Sequence, residues 1–187
     1  MAAYRACDKL HSAYYQETYN YTEKPGLIRS EILLPPNAPA EFADRETLWD
    51  AVEYAEKRPD AQLAFNFDFG LQTEFTDEEN ITLVQQFLTE HFVSRGMICD
   101  WAFHYPSKND AHPNPHVHLL CPMRPLNPDG LWGEKQKAEP VFDENGNPVF
   151  GKNGRQKTKS VKTTDWSDAS TLIEWRAAWA ELNNALF

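Results

Sequence analysis

Hydrophobic and polar positions change period several times along the chain. AAYRACDKLHSAY opens with Ala3, Ala6, Leu10 and Ala13 near one helical face and Tyr4, Cys7 and His11 along a neighbouring one. The pattern predicts a helix with Tyr4 in its first turn and His11 on its surface. LIRSEILL, residues 27–34, reads as an extended strand that PPNAP interrupts. A second helix, roughly 44–57, turns Leu48, Ala51, Val52 and Ala55 inward, and Pro59-Asp60 ends it.

LAFNFDFGL, residues 63–71, has the alternation of a half-buried strand, with Asn66 and Asp68 on the same side. Thr76-Asp77-Glu78-Glu79 is a capping box, and the helix behind it buries Ile81, Val84, Leu88 and Phe92, with His91 on its surface. Ile98 to His104 alternates as a strand, as does His116 to Cys121 after the loop YPSKNDAHPNP. FDENGNPVFGKNG, residues 142–154, suggests a hairpin around Asn145-Gly146 or a mobile arm. In the final helix Leu172, Trp175, Trp179, Leu182 and Leu186 form a core stripe. This order predicts one α+β domain over residues 1–187, an antiparallel sheet with helices packed mainly on one face and the other face free for a site.

Composition agrees with a folded domain: 41% of residues are hydrophobic, enough to bury a core. No stretch approaches the roughly 18 apolar residues of a membrane span, and the N-terminus turns polar at once, so membrane insertion and secretion are not expected. Cys7, Cys99 and Cys121 are odd in number and far apart, which fits reduced thiols in a cytoplasmic protein. The net charge of −10 argues against nucleic acid until it is divided. Residues 1–150 carry −12 and residues 151–187 carry +2, with Lys152, Arg155, Lys157, Lys159 and Lys162 unopposed in GKNGRQKTKSVK. The turn-rich basic arm over residues 142–162 reads equally as an electrostatic clamp or a solvated loop.

NPHVHLLC holds the candidate chemistry. Side chains two apart on a strand share a face, so His116 and His118 can reach one ion. An antiparallel neighbour over 98–104 would bring His104 to the same face, and three neutral imidazoles with an open position suit a catalytic divalent cation. Two hydrogen-bonded surface imidazoles fit the HxH spacing as well. His112 in the loop is either exposed or close to the ion. Asp68 suits a carboxylate that orients a ligand histidine, or a solvent-facing strand residue.

AAYRACDKL, SEILLPPNAP, LWDAVEYAEKRPDAQLA, NPHVHLL, RPLNPDGLWG and TTDW followed by EWRAAWAELNNAL occur in this order over nearly the whole chain. In these segments the sequence resembles the relaxase domain of the MobA/MobL family of plasmid mobilisation proteins, within the class of HUH endonucleases. The resemblance implies that His104, His116 and His118 hold Mg²⁺ or Mn²⁺ and that Tyr4 is the catalytic tyrosine. It also places Asp68 where relatives carry an acidic residue, frequently Glu. The implied activity is nicking and rejoining of single-stranded origin-of-transfer DNA through a 5′-phosphotyrosyl intermediate, with accessory relaxosome and coupling proteins as further partners. The basic arm is then the first candidate DNA clamp, with Lys108 and Arg124 as secondary contacts.

The family's usual first strand, which would precede AAYR beside the histidine strand, has no counterpart before Met1. A start assigned too far downstream, a gene fragment or a rebuilt terminus would each account for this. In a chain without it, an unpaired interior strand edge, weakened stability and poor positioning of Tyr4 are expected. The rival readings are a non-catalytic, metal-containing DNA-binding remnant of a relaxase, a replication-initiator nuclease of the same general fold, and a metal-stabilised structural protein.

Overall fold

Four strands make the central antiparallel sheet of a computed structural model that describes residues 1–56, 58, 60–106 and 113–185. They are β3 (Leu27–Leu33), β4 (Ala64–Gly70), β5 (Cys99–His104) and β6 (His116–Pro122), in the order β3-β5-β6-β4. The histidine strand β6 is paired on both sides, so the expected open edge beside it is not found; the outer strands are β3 and β4.

Alternation sorts the side chains into two layers. Trp101, Phe103, Val117, Leu119, Cys99 and Cys121 point to one face and are almost wholly buried. There they meet α3 (Asp77–His91) and α4 (Ala169–Asn184), whose Val84, Phe87, Leu88 and Trp175 complete the main core. The capping box forms as its sequence requires: Glu79 N donates to Thr76 Oγ1, and Thr76 N donates to the Glu79 carboxylate. The stripe of α4 is shifted from the one expected. Trp175 is buried and Trp179 is packed against the core, but Leu172 is exposed, and Leu186 lies outside the described residues.

The opposite face is not wholly free. α2 (Arg45–Ala55) covers one end of it with Leu48 and Val52, which join Phe42 and Ile98 in a smaller core. Its helix begins at Asp44, whose carboxylate accepts from Thr47 N; the Pro59 expected to end it is outside the described residues. The same helix anchors Asp100, a buried carboxylate on β5, through Arg45 Nε at 3.0 Å and Trp49 Nε1 at 2.8 Å. Burial pushes the Asp100 carboxyl up, and these donors pull against it.

The first helix ends much earlier than its periodicity suggests. α1 is Ala2–Ala6; Cys7 turns left-handed at φ 51°, and the chain enters a hairpin of β1 (Lys9–Ser12) and β2 (Glu17–Asn20). Three carboxylates on α2 decide this. Glu46 accepts from His11 N at 2.7 Å, Asp50 from Ala13 N at 2.9 Å and Glu53 from Ser12 Oγ at 2.6 Å. Backbone donors that a longer helix would use internally are thus satisfied by a neighbouring element. His11 is accordingly an exposed strand residue, its ring 3.0 Å from Thr18 Oγ1.

Residues 136–162 project as a second hairpin, β7 (Gln136–Pro140) with β8 (Thr158–Lys162). Bridges Phe142↔Pro148 and Phe150↔Gln156 extend it, with turns at Gly146 and Gly154, both at positive φ. The basic stretch is therefore built on paired backbone. No described helix is long and apolar enough to cross a membrane.

Candidate active site

Register brings the candidate residues together. His104 lies directly opposite His116, and His118 is opposite Ala102 on one side and Asp68 on the other. The three imidazole centroids form a triangle of 4.8 Å (His116–His118), 5.3 Å (His104–His118) and 5.8 Å (His104–His116). This cluster occupies the end of the sheet face that α2 leaves uncovered.

One nitrogen of each ring is committed. His104 Nε2 donates to the Arg5 carbonyl at 2.5 Å, His116 Nδ1 to the Asn114 carbonyl at 2.8 Å and His118 Nδ1 to Asp68 Oδ1 at 2.5 Å. Carbonyls and carboxylates only accept, so those nitrogens carry the protons. In a neutral ring so bonded, the lone pair falls on Nδ1 of His104 and on Nε2 of His116 and His118. Burial lowers the pKa of His104 to about 4, against the Arg5 carbonyl that favours its cation, and burial likewise lowers His118 against the pull of Asp68. Burial would raise the Asp68 carboxyl, but the His118 bond, the Arg5 charge and the Asn66 amide hold it below its ordinary value.

Neutral imidazoles are the form that ligates a divalent cation, and a carboxylate behind one of them fixes its tautomer. The donor set therefore suits a metal. Among the described residues, however, no group of three or more His, Cys, Asp or Glu side chains stands ready-arranged to hold one. With Nε2 on the Arg5 carbonyl, His104 offers Nδ1 unless its ring turns.

Tyr4 reaches this end of the sheet through its neighbour. Besides its carbonyl contact with His104, Arg5 places NH1 3.3 Å from Asp68, so α1 is fastened to both β5 and β4. The Tyr4 ring is half exposed at 48%, edge-on to Tyr21 at 5.2 Å, with Lys24 Nζ 3.8 Å from its centroid. Position after AAY is the sequence signal that singles out Arg5; for Lys24, in the turn YTEKPG, the sequence has none.

The expected DNA contacts divide. Lys152, Arg155 and Lys157 are exposed on the arm with no ion-pair partner among the described residues, and Lys159 lies in register with Glu139. Lys162 is paired with Asp168 at 2.9 Å. Arg124 is turned inward: its guanidinium, 12% exposed, meets Glu56 at 3.1 Å and Glu134 at 3.3 Å and donates to the Gly133 carbonyl. It has the role of a structural ion pair rather than a surface contact. Lys108 and His112 lie outside the described residues.

The antiparallel sheet with its packed helices has the fold of an HUH-class relaxase domain. A chain from a solved structure on the molecular basis of vancomycin resistance transfer in Staphylococcus aureus superposes with a TM-score of 0.79 and 30% identity, over 98% of this chain and 81% of that one. The MobA/MobL family matches residues 1–187, and the chain belongs to that family. The conjugal transfer protein TraA of Agrobacterium fabrum is 40% identical over 82% of this chain, and a probable mobilization protein MobA of Bifidobacterium longum 32% identical over 95%. The chain spans only 14% of the length of the first and 34% of the second.

Proposed function

We propose that this domain nicks and rejoins single-stranded plasmid DNA at an origin of transfer, with Tyr4 as nucleophile. The observation that carries the reading is Arg5, which joins the Tyr4 helix to His104 through its carbonyl and to Asp68 through its guanidinium. The backbone that carries Tyr4 is thereby tied to the histidine cluster, which covalent phosphoryl chemistry needs of a nucleophile and its site. Tyr4 Oη attacks the scissile phosphorus as the bond to the 3′ oxygen breaks; the phenol proton ends on the released 3′-hydroxyl, and the 5′ phosphate stays on Tyr4. The reverse attack reseals the strand. Asp68 holds His118 in the tautomer that leaves Nε2 free. Mg²⁺ or Mn²⁺ bound by His104, His116 and His118 would supply Lewis-acid stabilisation of the phosphate oxygens. Lys152, Arg155, Lys157 and Lys159 on the arm contact the DNA backbone, and accessory relaxosome and coupling proteins are the partners of the assembled reaction.

A second reading is a DNA-binding domain without turnover, which the exposed basic residues Lys152, Arg155 and Lys157 of the arm would serve equally. The two separate when the protein is incubated with Mn²⁺ and labelled single-stranded oligonucleotides tiling the DNA around its own gene. A covalent adduct that disappears in Tyr4→Phe supports the enzyme. Binding without adduct supports the second reading, and an adduct that survives Tyr4→Phe excludes Tyr4 as nucleophile.

A further inference from the structure

Lys24 occupies the turn between β2 and β3, where its amide donates to the Tyr21 carbonyl at 3.0 Å. Its ammonium does two things to one residue. It stands 3.8 Å from the centroid of the Tyr4 ring, and it donates to the Tyr4 carbonyl oxygen at 3.3 Å. Tyr21, from the same turn, closes on the Tyr4 ring edge-on at 5.2 Å.

We propose that Lys24 is the residue that orients the Tyr4 ring and stabilises the charge developing on its oxygen, an inference that rests on the assignment of Tyr4 as nucleophile. The need for orientation follows from the helix itself. α1 is five residues long and Tyr4 is half exposed on it, so its own helix does little to fix the ring. A cation against the ring face, tied at the same time to the backbone of the same residue, restricts both the helix and the side chain.

The electrostatic part follows from the chemistry. During attack the phenol loses its proton and negative charge grows on the phenolic and phosphoryl oxygens; the proton ends on the departing 3′ oxygen. An ammonium held beside the ring attracts that charge more strongly than it attracts the neutral phenol, so its contribution is larger in the transition state than in the ground state. Lys24 does not enter the proton balance. A lysine that only gripped a DNA phosphate would instead act on affinity.

The test uses the full chain with Mn²⁺ and the labelled single-stranded oligonucleotide on which the wild type forms its adduct. Lys24→Met keeps the stem and removes the charge, Lys24→Arg keeps the charge, and Lys24→Gln gives a second neutral variant. The expected result is an adduct rate at saturating DNA about tenfold or more slower in both neutral variants, with DNA affinity and melting temperature unchanged, and most of the rate restored in Lys24→Arg. Unchanged rates at saturation in the neutral variants, a defect confined to DNA affinity, or an equal loss in Lys24→Arg would each overturn the role of Lys24. Tyr4→Phe run alongside distinguishes the two assignments: an undiminished adduct there overturns the nucleophile itself, whereas its loss with normal Lys24 variants overturns Lys24 alone.

Discussion

The backbone carbonyl of Arg5 accepts a hydrogen bond from His104 Nε2 at 2.5 Å, while the guanidinium of the same residue meets Asp68 at 3.3 Å. A five-residue helix is thereby fastened across two strands of the sheet. The Arg5–Asp68 pair is partly exposed, so its direct value to stability is small, about 0.2–1 kcal/mol. Arg5→Met is expected to lower the rate of tyrosine–DNA adduct formation about tenfold to a hundredfold with little change in melting temperature, read by single-turnover assay and circular dichroism.

Asp68 accepts the proton-bearing nitrogen of His118 and so orients its free Nε2. Asp68→Asn is expected to weaken Mn²⁺ binding by about tenfold or more, and His118→Ala to weaken it further. Isothermal titration calorimetry reads both. Equal affinity in wild type and both variants would remove these residues from any metal site.

Arg45 is the main counter-charge of buried Asp100, with side-chain exposures of 11% and 5%. Arg45→Met leaves that carboxylate with Trp49 as its remaining close donor and is expected to cost about 3–5 kcal/mol in urea unfolding. The double variant Arg45→Met with Asp100→Leu should recover much of the loss, because the uncompensated charge goes with the carboxylate.

The α2 cap gives a pH-dependent test. The hydroxyl and amide of Thr47 hold the Asp44 carboxyl below its ordinary value. A lowered folded-state pKa means that the cap stabilises fully above the unfolded value of about 3.9 and loses its contribution as pH falls through the lowered one. Asp44→Ala should therefore cost about 1 kcal/mol at neutral pH, and the gap between wild type and variant should narrow as pH falls through the lowered folded-state value. A gap independent of pH would assign the effect to something other than the charged cap.

Cys99 and Cys121 are fully buried on paired strands as free thiols, Cys121 Sγ donating to Cys99 Sγ at 4.0 Å, and burial pushes the Cys121 thiol well above its ordinary pKa. Cys7 is partly exposed. Ellman's reagent is expected to modify Cys7 in the native protein and the other two only after denaturation.

Local pattern was sufficient for elements whose partners lie close in the chain. The capping box at Thr76 and the alternation that puts His116 and His118 on one face were legible because helix and strand periods act over a few residues, whereas Asp68 and His104 join them only through strand pairing. Tertiary structure decided the rest. The carboxylates of α2 stopped α1 at Ala6, Glu56 drew Arg124 away from the surface, and α2 took part of a face expected to be open. Arg5 and Lys24 acquired their places beside Asp68, His104 and Tyr4 in the same way. Apart from the apolar packing of α2, each of these outcomes depends on a charge or hydrogen bond between residues from about twenty to a hundred positions apart, and all of them are chosen by how the layers pack rather than by periodicity along the chain.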